Sequence, residues 1–116
     1  MRTIFDERLA EIHRDLLQLG IVVNEAINKA IQAFVTKDVN LAEEIIENDL
    51  KINDKENEID KKCTETIALQ QPLATDLRRI IAVIRASSDL ERMGDHAQNI
   101  AEATINLKNE KHVPEL

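Results

Sequence analysis

The chain has no tryptophan or tyrosine and, in 116 residues, only two phenylalanines, two glycines, two prolines and one cysteine. Each shortage excludes something. So little glycine and proline leaves too few turn signals for a many-stranded sandwich or barrel. A lone cysteine, Cys63, excludes an internal disulfide and a cysteine-based zinc site within one chain. It falls on the apolar arc of its helical pattern, which predicts a buried thiol. The longest apolar run, Ile80 to Ile84, is far short of the ~20 residues that a membrane span needs. No signal-peptide pattern follows Arg2, because Asp6 and Glu7 arrive before any apolar segment. A net charge of −7 makes nucleic acid and anionic membrane surfaces poor partners and suits cations or a basic protein surface. The expectation is a soluble, cytoplasmic protein.

What is abundant is alanine, leucine, isoleucine, glutamate and lysine, an all-α composition. From about Thr3 to Val35, the residues Phe5, Leu9, Ile12, Leu16, Leu19, Val23, Ala26, Ala30 and Ile31 recur every three or four positions as one apolar stripe. Gly20 lies in that segment without another breaker and predicts a close helix contact or a mild bend. Asp38 is placed to cap a second helix, which runs to about Leu69 and closes at Gln70-Gln71-Pro72. Thr75 is expected to cap a third, running to about Leu107. The fold expected is an elongated antiparallel three-helix bundle, ~45–50 Å long. It forms one domain over residues 1–108, with 109–116 a flexible tail around Pro114.

Carboxylates occupy unexpected positions on these helices. At ~100° per residue, Glu91 and Asp95 fall near the apolar direction set by Ile80 and Ile84, whereas Arg78, Arg85, Asp89 and Arg92 point elsewhere. On the middle helix Asp49, Glu56, Asp60 and Asn53 lie inside or beside the stripe of Leu41, Ile45, Ile52, Ile59, Cys63 and Ile67. The other charges of that helix, Lys51, Lys55, Lys61 and Lys62 among them, are assigned to the outer face. Folding back at Leu73 sets Glu91 opposite Lys55 or Glu56, and Asp95 opposite Lys51, within a turn of Asp49. Acids at one depth on two touching helices repel, and hard multivalent cations with oxygen ligands relieve that repulsion. Pairing with Arg or Lys from the remaining helix is the plainer alternative. Other motifs fail. Asp54-Lys-Glu56-Asn-Glu58 has Ile59 where a calcium loop needs glycine. There is no Glu-x-x-His and no glycine-rich phosphate loop. His96 points away from the acids, and His13 and His112 carry no pattern.

Three stretches together carry a family resemblance: Asp49-x-x-Ile52-Asn53-x-x-Glu56-x-x-Ile59-Asp60, Gln71-Pro72-Leu73-Ala74-Thr75-Asp76-Leu77-Arg78, and Leu90-Glu91-Arg92-Met93-Gly94-Asp95 with Asn99-Ile100. In order and spacing the chain resembles the PhoU family of bacterial phosphate-uptake regulators, over nearly its whole length. The resemblance implies a non-enzymatic adaptor that works with the phosphate ABC transporter and the phosphate-sensing histidine kinase. Such an adaptor restrains uptake, keeps starvation genes off, and meets the membrane only through protein partners. It also implies a divalent or trivalent metal cluster of iron, zinc, manganese, nickel or magnesium. Glu91 and Asp95 are its leading ligands, then Glu56 and Asp60, then Asp49. Family members usually carry two three-helix repeats and only one is seen here, so a homodimer is expected to replace the second. The rival readings are a carboxylate-bridged metal-dependent hydrolase or oxidase and an inert helical dimerisation module.

Overall fold

Why each helix starts and stops is visible in its caps. In the computed structural model, which describes residues 3–109, α1 spans Ile4–Thr36, α2 Val39–Gln70 and α3 Ala74–Asn109. Thr3 opens α1 with a reciprocal box. The Asp6 amide donates to Thr3 Oγ1 at 3.1 Å, and the Thr3 amide donates to Asp6 Oδ2 at 3.3 Å. Lys37 ends α1 in the left-handed region at φ 58°, and the Asp38 amide donates back to Ala33 O at 2.9 Å. Asp38 then caps α2 as expected, accepting from the Leu41 amide at 3.0 Å. With two residues between helices, α1 and α2 must run antiparallel. Gln71 ends α2 at φ 44°, and Pro72 follows where the helix cannot continue.

Four expectations need correction. Thr75 is not the cap of α3: the helix begins at Ala74, itself at φ 49°, and the Asp76 amide donates to Leu73 O at 3.1 Å. The turn is closed by backbone, so no side-chain cap is needed. The third helix outlasts Leu107 and takes in Asn109; the rest of the expected tail, 110–116, lies outside the described residues. Ile31 is not in the stripe but 49% exposed, on the outer face of α1. The molecule extends 67 × 23 × 17 Å, longer than the ~45–50 Å expected from helices of ~30 residues.

The core lies along the bundle axis in two parts. Leu9, Ile12, Leu19, Val23, Ile52, Ile59, Cys63, Ile80 and Val83 form the first. Ala30, Ala33, Ala42, Ile45, Ala97 and Ala101 form the second, where small side chains let the helices draw close. Each of the three buried hydroxyls among the described residues has a carbonyl acceptor within its own helix. Thr66 donates to Lys62 O at 2.7 Å, Thr104 to Ile100 O at 3.0 Å, and Ser87 Oγ lies 3.0 Å from Ile84 O. Gly94 marks a close approach between α2 and α3. A methyl placed there would meet Ile52 Cδ1 and Cγ2 at 3.2 Å. No described helix is long and apolar enough to cross a membrane.

Candidate functional site

Helix α2 carries Asp49, Glu56 and Asp60, and α3 carries Glu91 and Asp95; all five are half-buried. The expected register holds, and the two rows face each other. Burial raises Asp49 above the usual carboxylate range, and the charge on Asp95 adds to it, with the Asn53 side chain opposing. Glu56 is pushed up to about 7, first by burial, then by hydrogen bonding to Asp60 and by the charges of Asp60 and Glu91. Glu91 is raised by burial and then by Asp95, with a smaller push from Asp49 and a relieving pull from Arg92. The five acids therefore form one electrostatic unit across the α2–α3 seam.

Among the described residues no ion pair engages that unit, and Arg92 only eases Glu91. The ion pairs among the described residues engage other acids: Glu11, Asp15, Glu44, Glu58, Asp76 and Asp89. Asp49 Oδ1 is enclosed and has no hydrogen-bond partner. It lies 3.9 Å from where a Cβ on Gly94 would stand, so the same close approach that lacks a side chain at Gly94 shuts this oxygen in. An enclosed carboxylate oxygen without a donor is costly and is the kind of atom a cation satisfies. The donor set is all oxygen, which suits hard cations such as magnesium, manganese or ferric iron more than soft ones. The residues thus fit a metal in chemistry. In geometry they are drawn out along the helices: among the described residues no three Asp, Glu, His or Cys converge as a ready ligand set.

Two features of the neighbourhood went unread in the sequence. Lys62, assigned to the outer face, is instead half-buried between α1 and α2. Its Nζ lies 2.6 Å from Asp15 Oδ2, 3.3 Å from Glu11 Oε1 and 3.5 Å from Glu58 Oε1. Those partners on α1 lift its pKa well above the ordinary lysine value, Asp15 most of all. A single-helix wheel cannot see them. Ser87, fully buried, also lies 3.4 Å from Asp60 Oδ1, so its one proton serves either that carboxylate or the Ile84 carbonyl. His96 is exposed, as expected. Cys63 is fully buried, and burial, with the Asp60 charge, pushes its thiol up to about 11, which disfavours the thiolate.

Comparison with known proteins agrees with this architecture. The PhoU domain matches residues 16–104. The chain is 43% identical over 115 residues to a phosphate-specific transport system accessory protein PhoU homolog of Streptococcus pneumoniae, covering 99% of this chain and 53% of that protein. It is 44% identical over 104 residues to the Aquifex aeolicus homolog, covering 90% and 47%. The crystal structure of PhoU from Pseudomonas aeruginosa superposes with a TM-score of 0.89 at 37% identity, over 96% of this chain and 53% of that one. The chain spans about half the length of the curated relatives it matches, which are named as transport accessory proteins and not as enzymes. On a domain match across most of its length and one well-matched three-helix fold, this chain belongs to the PhoU family.

Proposed function

We propose that the chain serves phosphate transport as a non-enzymatic regulator. It contacts the phosphate ABC transporter and the phosphate-sensing histidine kinase from the cytoplasm, and restrains uptake and starvation signalling. A hard multivalent cation bound along the α2–α3 seam stabilises the state that makes those contacts. The observation that carries the metal part is Asp49 Oδ1, enclosed and unpartnered within a row of acids that no ion pair among the described residues engages. The adaptor part rests on relatives named as accessory proteins of the phosphate-specific transport system. Asp95, Glu91, Glu56 and Asp60 would turn toward a shared cation, with small rotamer changes drawing the extended row together. The cation supplies charge neutralisation and no chemistry on a substrate. A second copy of the chain is proposed as its partner in a two-bundle assembly.

Two measurements test this. Protein purified without chelator should contain bound manganese, iron or magnesium, and Glu91→Ala with Asp95→Ala should remove it. In a bacterium lacking its own PhoU protein, the wild-type chain should restore repression of a phosphate-starvation reporter, and the double variant should restore it poorly. A reporter left fully active by well-expressed wild-type chain would sink the regulatory reading.

A further inference from the structure

Ion pairs join α1 to α2 at two levels and, among the described residues, at none between them. Lys29 Nζ lies 3.9 Å from Glu44 at one level, and Lys62 Nζ lies 2.6 Å from Asp15 at the other. Lys51, Lys55 and Lys62 share one face of α2, at spacings of four and seven and within about 40° of one another. The contact of Lys62 with Asp15 identifies that face as the one turned to α1. In the antiparallel register that the two ion pairs set, Lys51 and Lys55 come level with Gln18 to Ala26. There α1 is uncharged from Leu16 to Asn24. Neither lysine makes an ion pair among the described residues, although Lys55 is half-buried. A chain of net charge −7 thus carries a local excess of cations at its waist.

A cavity of about 210 Å³ opens at this level between the two helices. Its deep side is apolar, with Ile45 and Ile52 buried and Val22 and Ala26 half-buried. Lys29, Lys51 and Glu25 stand exposed at its mouth, and the half-buried Asn48 amide lies below them. At ~30 Å³ per molecule the space holds about seven waters, so it takes a single ring or short alkyl body and nothing larger. We propose that this cavity binds a small phosphate monoester, with its body on the apolar floor and its head at Lys51 and Lys55. A dianion answers two ammonium groups where a carboxylate answers one, and lysine serves phosphate as a mobile point charge. Lys29 is already answered by Glu44. Glu25, the one acid in the lining, repels a second anionic group, so the ligand carries its charge at one end. The apolar floor makes bare phosphate a poor substitute. The site stands on the other flank of α2 from Asp49, Glu56 and Asp60 and does not depend on a cation there.

The test is a titration of the isotope-labelled 116-residue chain with phenyl phosphate, read from amide chemical shifts. Chelator is present throughout, so that no metal can bring phosphate to the acidic row. Shifts should gather at Val22, Ala26, Asn48 and Lys51, with a dissociation constant on the order of 1 mM, ordinary for so small a ligand. Lys51→Gln with Lys55→Gln should weaken binding about 10-fold, the loss expected for two partly exposed charge contacts. The unfolding midpoint of that variant should hold, since neither lysine has an ion pair to lose. Phenol, which lacks the charge, and inorganic phosphate, which lacks the body, should each bind at least about 10-fold more weakly than phenyl phosphate. No saturable shift up to about 10 mM phenyl phosphate overturns the site. Shifts centred on Leu17 and Ile21 overturn it too, because the ring would then be covering exposed apolar surface. Unchanged binding in the lysine variant overturns the role of the cations, and inorganic phosphate binding as tightly overturns the monoester class.

Discussion

Carboxylates turned inward on a helix are stable only when something holds them, and here what protein supplies is a proton. Glu56 holds its proton up to about 7 against an ordinary value of 4.5, for burial first and Asp60 and Glu91 next. The folded state therefore binds protons more tightly than the unfolded chain. That contribution to stability is fully present below the unfolded value of 4.5, and is lost as pH rises through about 7. Asp49 and Glu91 are raised in the same sense. In chelator, denaturant midpoints should rise between pH 8 and pH 5.5, and Glu56→Gln should flatten the rise. A midpoint that falls over that interval would mean the acids are held as ion pairs. The pair Glu91→Ala with Asp95→Ala should leave metal-free stability equal or higher, because it removes repulsion. A loss of several kcal/mol in chelator, the size expected on breaking a buried ion pair, would contradict the absence of basic partners.

Among the elements, the two glycines separate packing from propensity. A Cβ on Gly20 would meet only Leu90 Cδ1, at an unstrained 4.0 Å, so Gly20→Ala should raise stability by about 0.5–1 kcal/mol, chiefly through backbone entropy. Gly94 faces the buried Ile52 at 3.2 Å. Overpacking of ~1–3 kcal/mol there outweighs a helix gain of ~1 kcal/mol, so Gly94→Ala should lower stability. Thermal melts of the two variants with chelator check both signs. The sequence carried the turns at Asp38 and Pro72 and the inward placement of all five acids, because caps, proline and helical period are properties of one segment. It did not carry the role of Lys62, whose partners Asp15 and Glu11 sit on another helix. Nor did it carry the position of Ile31, since an outer apolar line has the same period as an inner one. The start of α3 was misplaced because Thr75 is a good capping residue that the backbone turn at Leu73 makes unnecessary.

For the whole molecule, the proposed cation would set the strength of the α2–α3 seam. A cation binding only the folded chain stabilises it by an amount that grows with concentration, about 2.7 kcal/mol at one hundred times the dissociation constant. Added manganese should thus raise the melting temperature of wild type and leave that of Glu91→Ala with Asp95→Ala unmoved. An equal rise in both would place the bound metal elsewhere.

The α1–α2 seam, clamped at Lys62, responds to dissolved salt with the opposite sign. Simple ions weaken the attraction around Lys62 and weaken the repulsion among the inward acids. They also ease the self-repulsion of a chain of net charge −7. Two of those three effects favour folding while the acids stand bare. Sodium chloride should therefore stabilise the metal-free protein. With the proposed multivalent ion on the row, the same salt would act mainly on the clamp and should stabilise less or reverse. The bundle would then report, in its response to ionic strength, whether its seam is filled.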